Sequence, residues 1–250
     1  MAAGRDGIAV SGPELSGQTV VVIGGSAGIG LETARRARSE GADVIVTGRD
    51  PERLERAARE LGAVSSAAFD AADPDRLARF FGDLPDPIDH VLVTAGRPYY
   101  TSLAEMDFAR ARREVDERLW LTLHVAREAA GRVRPGGVLL FMSGTDARRP
   151  WVGGPIVSAL TVGLPALIAN VAQELGPVRV NLIAAGFVDT PLSAELMGDR
   201  LEERREQLRA TLPVRRVVGP EDVAALAVHL MSNTALTGAT YDIDGGQQLV

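Results

Sequence analysis

An α/β domain, doubly wound around a seven-stranded parallel sheet with helices on both faces, is the architecture this sequence predicts. Three observations predict it. Short apolar runs alternate with longer amphipathic segments along the whole chain, the signature of repeated strand–helix crossovers. The first run, Val20-Val21-Val22-Ile23, opens directly into the glycine-rich stretch Gly24-Gly25-Ser26-Ala27-Gly28-Ile29-Gly30. The 250 residues show no internal repeat, linker or low-complexity block, so one domain accommodates them.

In chain order, strands are expected at Thr19–Ile23, Asp43–Thr47, Ser65–Phe69, His90–Thr94, Gly137–Met142, Val178–Ile183 and Thr240–Ile243. Helical patterns fall at Ile29–Ser39, Pro51–Leu61, Pro74–Phe81, Leu103–Val133, Ile156–Leu175 and Pro220–Met231. Asp50-Pro51 reads as an N-cap followed by proline at the first helical position, and Gly62 as the matching stop. Residues 1–16 mix Gly, Pro and charge and read as a loose leader; the domain is expected over 17–250. Right-handed crossovers make the sheet parallel and put ligands at the carboxyl ends of its strands. Function is therefore expected in the loops after Ile23, Thr47, Thr94, Met142 and Ile183.

Composition removes several classes of function. The net charge of −6 gives no electrostatic reason to approach nucleic acid or an anionic membrane. No run of about 18 apolar residues is apparent, so no membrane span is expected. The leader lacks the apolar core of a signal peptide, and a cytoplasmic location is expected. There is no cysteine, and His90, His124 and His229 show no paired spacing, so no metal site is expected.

The loop Gly24–Gly30 follows an apolar strand and opens a helix. Glycines at 24, 28 and 30 allow a tight turn and bring backbone N–H groups, with Ser26 and Ile29 among them, toward a pyrophosphate at the positive helix end. The second strand meets the loop on schedule and ends Val46-Thr47-Gly48-Arg49. An acid there would hold the adenosine ribose and repel a 2′-phosphate. Arg49 suits that phosphate instead, so NADP(H) is expected in preference to NAD(H). A solvated loop arginine is the alternative. These features make the predicted fold a single-domain Rossmann fold.

At this point the chain resembles the short-chain dehydrogenase/reductases, from Gln18 to Val250. The resemblance rests on the GxxxGxG loop and on Asp70 closing the third strand. It also rests on Thr94-Ala95-Gly96, on Val178-Arg179-Val180-Asn181-Leu182, and on Gly186-Phe187-Val188-Asp189-Thr190-Pro191. Gly219-Pro220-Glu221-Asp222, Thr237-Gly238 and Asp244-Gly245-Gly246 complete it. The resemblance implies that Asp70 contacts adenine, that Ala95 and Gly96 line the cofactor, and that Gly186, Val188 and Thr190 meet the nicotinamide end. It implies substrate-covering helices over about 190–212 and assembly as a homodimer or homotetramer. It also implies a small-molecule substrate.

The same resemblance implies a catalytic Asn, Ser, Tyr and Lys. Those positions hold Arg118, Gly144, Val157 and Thr161. The spacing Tyr-x-x-x-Lys matters because a phenol of pKa about 10 needs a cation one turn away to exchange a proton near neutrality. No tyrosine lies between Tyr100 and Tyr241, and the chain contains no lysine; arginine stays protonated and cannot titrate in its place. Replacement candidates are Tyr99 and Tyr100, as proton donors or an aromatic wall, and Arg118, as a polarising group or an ion-pair partner of Glu114. Ser143, as a contact to substrate oxygen or merely a strand end, and the loop Asp146, Arg148, Arg149 and Trp151 complete the set.

Three functions fit: an oxidoreductase acting on a small carbonyl, alcohol or enone through a non-standard proton relay; a non-redox isomerase, dehydratase or cyclase; and a non-catalytic NADP-binding sensor or oligomer partner. Fold alone does not choose among them.

Overall fold

A computed structural model describes residues 14–145 and 149–250. Seven strands, β1 (Thr19–Ile23), β2 (Asp43–Gly48), β3 (Ser65–Ala68), β4 (Ile88–Val93), β5 (Val133–Gly144), β6 (Arg179–Ala185) and β7 (Thr240–Ile243), form one sheet. Its order is β3-β2-β1-β4-β5-β6-β7, and every pairing is parallel. The strand order reverses between β1 and β4, and a crevice opens at such a switch point.

Alternation along β1 explains the two-sided core. Val21 and Ile23 enter one apolar cluster with Phe141, Leu164 and Ile168. Val20 and Val22 enter the other with Val46, Leu140 and Val223. Each fully buried aliphatic side chain contributes about 1.5–3 kcal/mol, and a strand buried on both faces has to be continuously apolar.

Helices α1 (Gly28–Ser39), α2 (Pro51–Leu61) and α3 (Pro74–Asp83) follow the expected spans. Asp50 caps α2 by accepting from the Arg53 amide, and Gly62 closes it. The expected long helix at Leu103–Val133 is broken. A short 3-10 turn at Leu103–Glu105 precedes α4 (Phe108–Val115), a π-helical turn at Asp116–Trp120 and α5 (Leu121–Ala129). Asp107 restarts the helix, its carboxylate accepting from the Ala109 and Arg110 amides, while Ala130 turns extended and Val133 begins β5.

The remaining helices are α6 (Pro155–Leu175), α7 (Pro191–Met197), α8 (Leu201–Thr211) and α9 (Pro220–Ser232). By length and composition α6 is apolar enough to cross a membrane, with a mean hydropathy of 1.8, although Ser158, Thr161, Asn170 and Gln173 interrupt any continuous apolar run. In the fold its Val157, Leu160, Leu164, Ile168 and Val171 are buried, three of them lying four residues apart as one helical face requires. Residues 1–13 of the expected leader lie outside the described residues. Leu15, however, is fully buried in the core and its amide donates to the Glu40 carbonyl, so the fold begins ahead of the expected boundary at 17.

Three polar groups are built into the sheet. Asp89 accepts from the Thr19 amide at 2.7 Å and pairs with Arg134. His90 Nε2 lies 2.6 Å from Gln18 Oε1. Arg179 donates to the carbonyls of Gly136, Leu230, Leu236 and Met231. It thereby joins β6 to the end of α9, where a helix leaves carbonyls unsatisfied.

Candidate functional site

The turn between β1 and α1 is closed by backbone contact. Gly24 has φ +100°, and a Cβ on Gly30 would lie 2.3 Å from the Gly24 carbonyl oxygen, so a side chain at either position would break the turn. The Thr94 hydroxyl donates to the Gly24 carbonyl at 3.0 Å, and Ala95 donates its amide to Ile23. At the start of α1, Ala27 caps without a side-chain hydrogen bond, and the first turn contains no acid. The free N–H groups and the positive end of the helix dipole therefore face the crevice. This cradle, with Ser26, Gly28 and Ile29 on its rim, fits a pyrophosphate.

Thr190 closes over the cradle: a Cβ on Gly28 would stand 3.4 Å from the Thr190 Cβ. Thr190 caps α7 by accepting from the Ser193 amide, and the Ser193 hydroxyl donates to the Val188 carbonyl at 2.5 Å. Gly186 is tied to β7 through the Ile243 carbonyl. Arg205 on α8 grips Asp189 with two bonds of 2.8 and 2.9 Å, and Glu195 on α7 pairs with Arg97 at 2.8 Å. Hydrogen bonding and the charge of Arg97 hold the Glu195 carboxyl below the usual carboxylate range.

Arg49 and Asp70 are joined through two residues that sequence reasoning missed. Arg49 lies 3.6 Å from the Glu117 carboxylate. Buried Glu117 also accepts from Arg113 Nε at 2.8 Å and from the Arg97 amide at 3.0 Å. Arg113 in turn pairs with Asp70. Burial pushes the Asp70 carboxyl up, but the bonds from Arg113 and from the Ala72 amide more than offset it and leave it low. The one available signal was the four-residue spacing of Arg113 and Glu117.

The loop after β4 hangs on α4. Glu114, 1% exposed, accepts from the Tyr99 amide at 3.1 Å and stands 3.9 Å from Arg118 Nη1, beyond hydrogen-bond reach. Arg118 lies at the middle of the π-helical turn, where its carbonyl accepts from the Thr122 hydroxyl at 2.6 Å, and its Nε has no partner. A Cβ on Gly96 would come within 3.8 Å of the Arg118 stem. The Tyr99 hydroxyl accepts from the Asp107 amide at 3.0 Å and its ring lies 4.4 Å beneath Arg110, so its oxygen helps anchor α4 while its O–H is still able to donate. The Tyr100 ring lies 5.4 Å from that of Trp151, and both are partly exposed. Arg149 donates to the carbonyls of Val250 and Gln248; Asp146 and Arg148 lie outside the described residues.

Val157 and Thr161 are both buried on one face of α6. Ser143 and Gly144, at the end of β5, pair with Ala184 and Ala185 of β6. Ser143, Gly144 and Thr161 line one cavity of about 130 Å³. A second of about 120 Å³ is lined by Arg49, Arg97, Tyr99, Arg110 and Arg113. Among the described residues no cluster of histidine and carboxylate side chains is arranged to hold a metal ion. The Ser143 and Thr161 hydroxyls thus line a cavity walled by β5, β6, β7 and α6 that shares no residue with the glycine cradle.

Comparison with known proteins places this arrangement. A family model described as enoyl-(acyl carrier protein) reductase matches residues 24–248. A protein named short-chain dehydrogenase/reductase ATR9, from Stachybotrys chlorohalonatus, is 30% identical, over 94% of this chain and 98% of its own. An NADP-dependent (R)-specific alcohol dehydrogenase of Lentilactobacillus kefiri is 28% identical, over 93% and 97%. A small-chain dehydrogenase solved in complex with NADPH superposes with a TM-score of 0.80 at 26% identity, covering 93% of this chain and 99% of that one.

Proposed function

Because this chain belongs to the short-chain dehydrogenase/reductase family, we propose that it is an NADP(H)-dependent oxidoreductase acting on a small organic carbonyl, alcohol or enone without the family's tyrosine relay. One observation carries the cofactor reading. An α1 N-terminus free of acid and side-chain caps opens beside a second strand that is followed directly by Arg49. The cradle of Gly24, Ser26, Gly28, Ile29 and Gly30 would hold the pyrophosphate, Arg49 the 2′-phosphate, Asp70 with Ala95 and Gly96 the adenosine side, and Gly186, Val188 and Thr190 the nicotinamide end. When bound, the nicotinamide supplies or accepts hydride. Arg118, with its unpartnered Nε and loose pairing to Glu114, is the group we assign to polarise the substrate oxygen. Tyr100, paired with Trp151, forms a wall of the substrate pocket, and Ser143 offers a hydroxyl to the substrate side.

Calorimetry with NADPH and NADH tests this reading. Tighter binding of NADPH supports it, and equal affinities overturn the assignment of Arg49. A second reading, a nucleotide-binding protein without turnover, draws on Val157 and Thr161, neither of which titrates. Nucleotide binding with no oxidation of NADPH across ketones, quinones and enones would favour it. We place the protein in the cytoplasm and assign it a homodimeric or homotetrameric assembly. The exposed Phe108 and Trp120 on the α4–α5 face support that assembly, and a sedimentation mass equal to the 26.4 kDa chain would contradict it.

A further inference from the structure

Four side chains of alternating charge, Arg49, Glu117, Arg113 and Asp70, link the ends of β2 and β3 to α4 and its π-helical turn. Glu117 is the hub. Its side chain is only 9% exposed, and a carboxylate at that depth needs firm partners. Arg113 Nε at 2.8 Å and the Arg97 amide at 3.0 Å supply them. Arg49 is held differently: its Nη1 stands 3.6 Å away on a side chain 62% exposed, an ion pair longer than a hydrogen bond. Glu117 therefore stays satisfied when Arg49 leaves, and Arg49 is free to leave.

Arg49, Arg113 and Glu117 also line a cavity of about 120 Å³, with Arg97 and Arg110 in its wall. A phosphate offers a guanidinium two parallel charge-assisted bonds, more than a carboxylate at 3.6 Å gives. It therefore draws Arg49 away, against the attraction of Glu117. A nucleotide with a free 2′-hydroxyl makes no such demand on Arg49. Glu117 thus opposes one nucleotide and not the other, and specificity is the difference between their affinities.

We propose that Glu117 is a positioning residue for nucleotide discrimination: it holds Arg49 until a 2′-phosphate displaces it, and so limits the preference for NADP(H). The proposal rests on the assignment of Arg49 to that phosphate. Once Arg49 has moved, the Glu117 carboxylate draws more fully on the Arg97 amide, in the loop after β4.

Calorimetry of the full chain compares NADPH with NADH in the wild type, Glu117→Gln, Arg49→Ala and the double variant. Glutamine keeps the shape and an acceptor oxygen but loses the charge. Glu117→Gln should bind NADPH about three- to fivefold tighter, the scale of one partly exposed ion pair, while NADH changes by less than about twofold. In the Arg49→Ala background the same substitution should do nearly nothing, as a double-mutant cycle requires of residues that act through each other. An unchanged or weaker NADPH affinity in a folded Glu117→Gln would overturn the proposal, as would an equal gain for NADH. So would a gain of full size without Arg49, which would mean that Glu117 repels the phosphate directly. Thermal melting checks the fold. If Glu117→Gln does not fold, NMR of the wild type decides. Adenosine 2′-monophosphate should shift the Arg97 amide saturably, adenosine should not, and Arg49→Ala should abolish the difference; no difference between the two ligands would overturn the proposal. Arg49→Ala with undiminished NADPH affinity would remove the cofactor assignment itself. Weakened NADPH binding there, beside an inert Glu117→Gln, would remove only the role of Glu117.

Discussion

The Thr122 hydroxyl donates to the Arg118 carbonyl at 2.6 Å, across the π-helical turn that separates α4 from α5. A widened turn disrupts the regular ladder of a helix, and here a side chain meets the carbonyl at its centre. The bond fixes the backbone from which the Arg118 guanidinium projects, and so couples a local irregularity to the proposed polarising group.

Thr122→Val keeps the side-chain shape and removes this donor. Leaving a partly buried carbonyl unmade costs about 1–3 kcal/mol, to be read as a lowered midpoint in urea unfolding with an unchanged slope. If Arg118 acts on the substrate, kcat should fall while KM changes little. An equal loss in Thr122→Ser, which retains the hydroxyl, would show that the bond is not what matters.

Arg49→Ala tests the cofactor end. A charge-assisted bond to phosphate is worth roughly 1.5–3 kcal/mol, about ten- to a hundredfold in affinity. The pairing with Glu117 must first be broken, so the lower half of that range is expected. NADPH should weaken by that factor in calorimetry while NADH is nearly unaffected.

Burial lowers the pKa of His90 from 6.5 to about 4, with Arg179 and Arg134 adding to the fall and Asp89 opposing it. Between those values the unfolded chain binds a proton that the folded chain refuses. The contribution to stability is therefore complete above pH 6.5 and declines as the pH drops toward 4, by about 3 kcal/mol in all. His90→Gln cannot take up the proton, so its stability should fall less steeply over that range. Parallel pH profiles for the two proteins would refute the role given to His90.

Val157→Tyr with Thr161→Lys restores a phenol and an ammonium one turn apart on the buried face of α6. General acid–base groups contribute about a hundred- to ten-thousandfold, so a folded double variant should gain reduction of simple diketones, while either single change does little. Overpacking costs about 1–3 kcal/mol, so melting is recorded beside activity. A folded, NADPH-binding and inert double variant would mean that the pocket differs by more than these two side chains.

The alternation of apolar runs made the sheet legible, and β1, β7 and α2 fall at the expected residues because strong local signals bound them. The break in the helix expected at Leu103–Val133 was not legible. Periodicity continues through a π-helical turn, and Asp107 gains meaning as a cap only once the Leu103–Glu105 turn is known. Within the site, the glycine cradle was readable because backbone approach admits few residues. The joining of Arg49 to Asp70 through Glu117 and Arg113 was not, since it unites three elements distant in sequence. The cavity at Ser143 and Thr161 was equally hidden, because it exists only after α6 packs on the sheet.

The position of α7 bears on how quickly the crevice exchanges its contents. Thr190 at its start lies over the glycine cradle, and Glu195 on its far side reaches Arg97 on the opposite bank. That reach spans solvent-exposed side chains, a kind of pairing that salt screens and that holds weakly. The firmer tether is Arg205 to Asp189, with its two parallel bonds, behind the helix rather than in front of it. If α7 moves, the Glu195–Arg97 edge should release before the Asp189 edge, and a bound nucleotide should then depart faster as ionic strength is raised; a dissociation rate indifferent to salt would refute this.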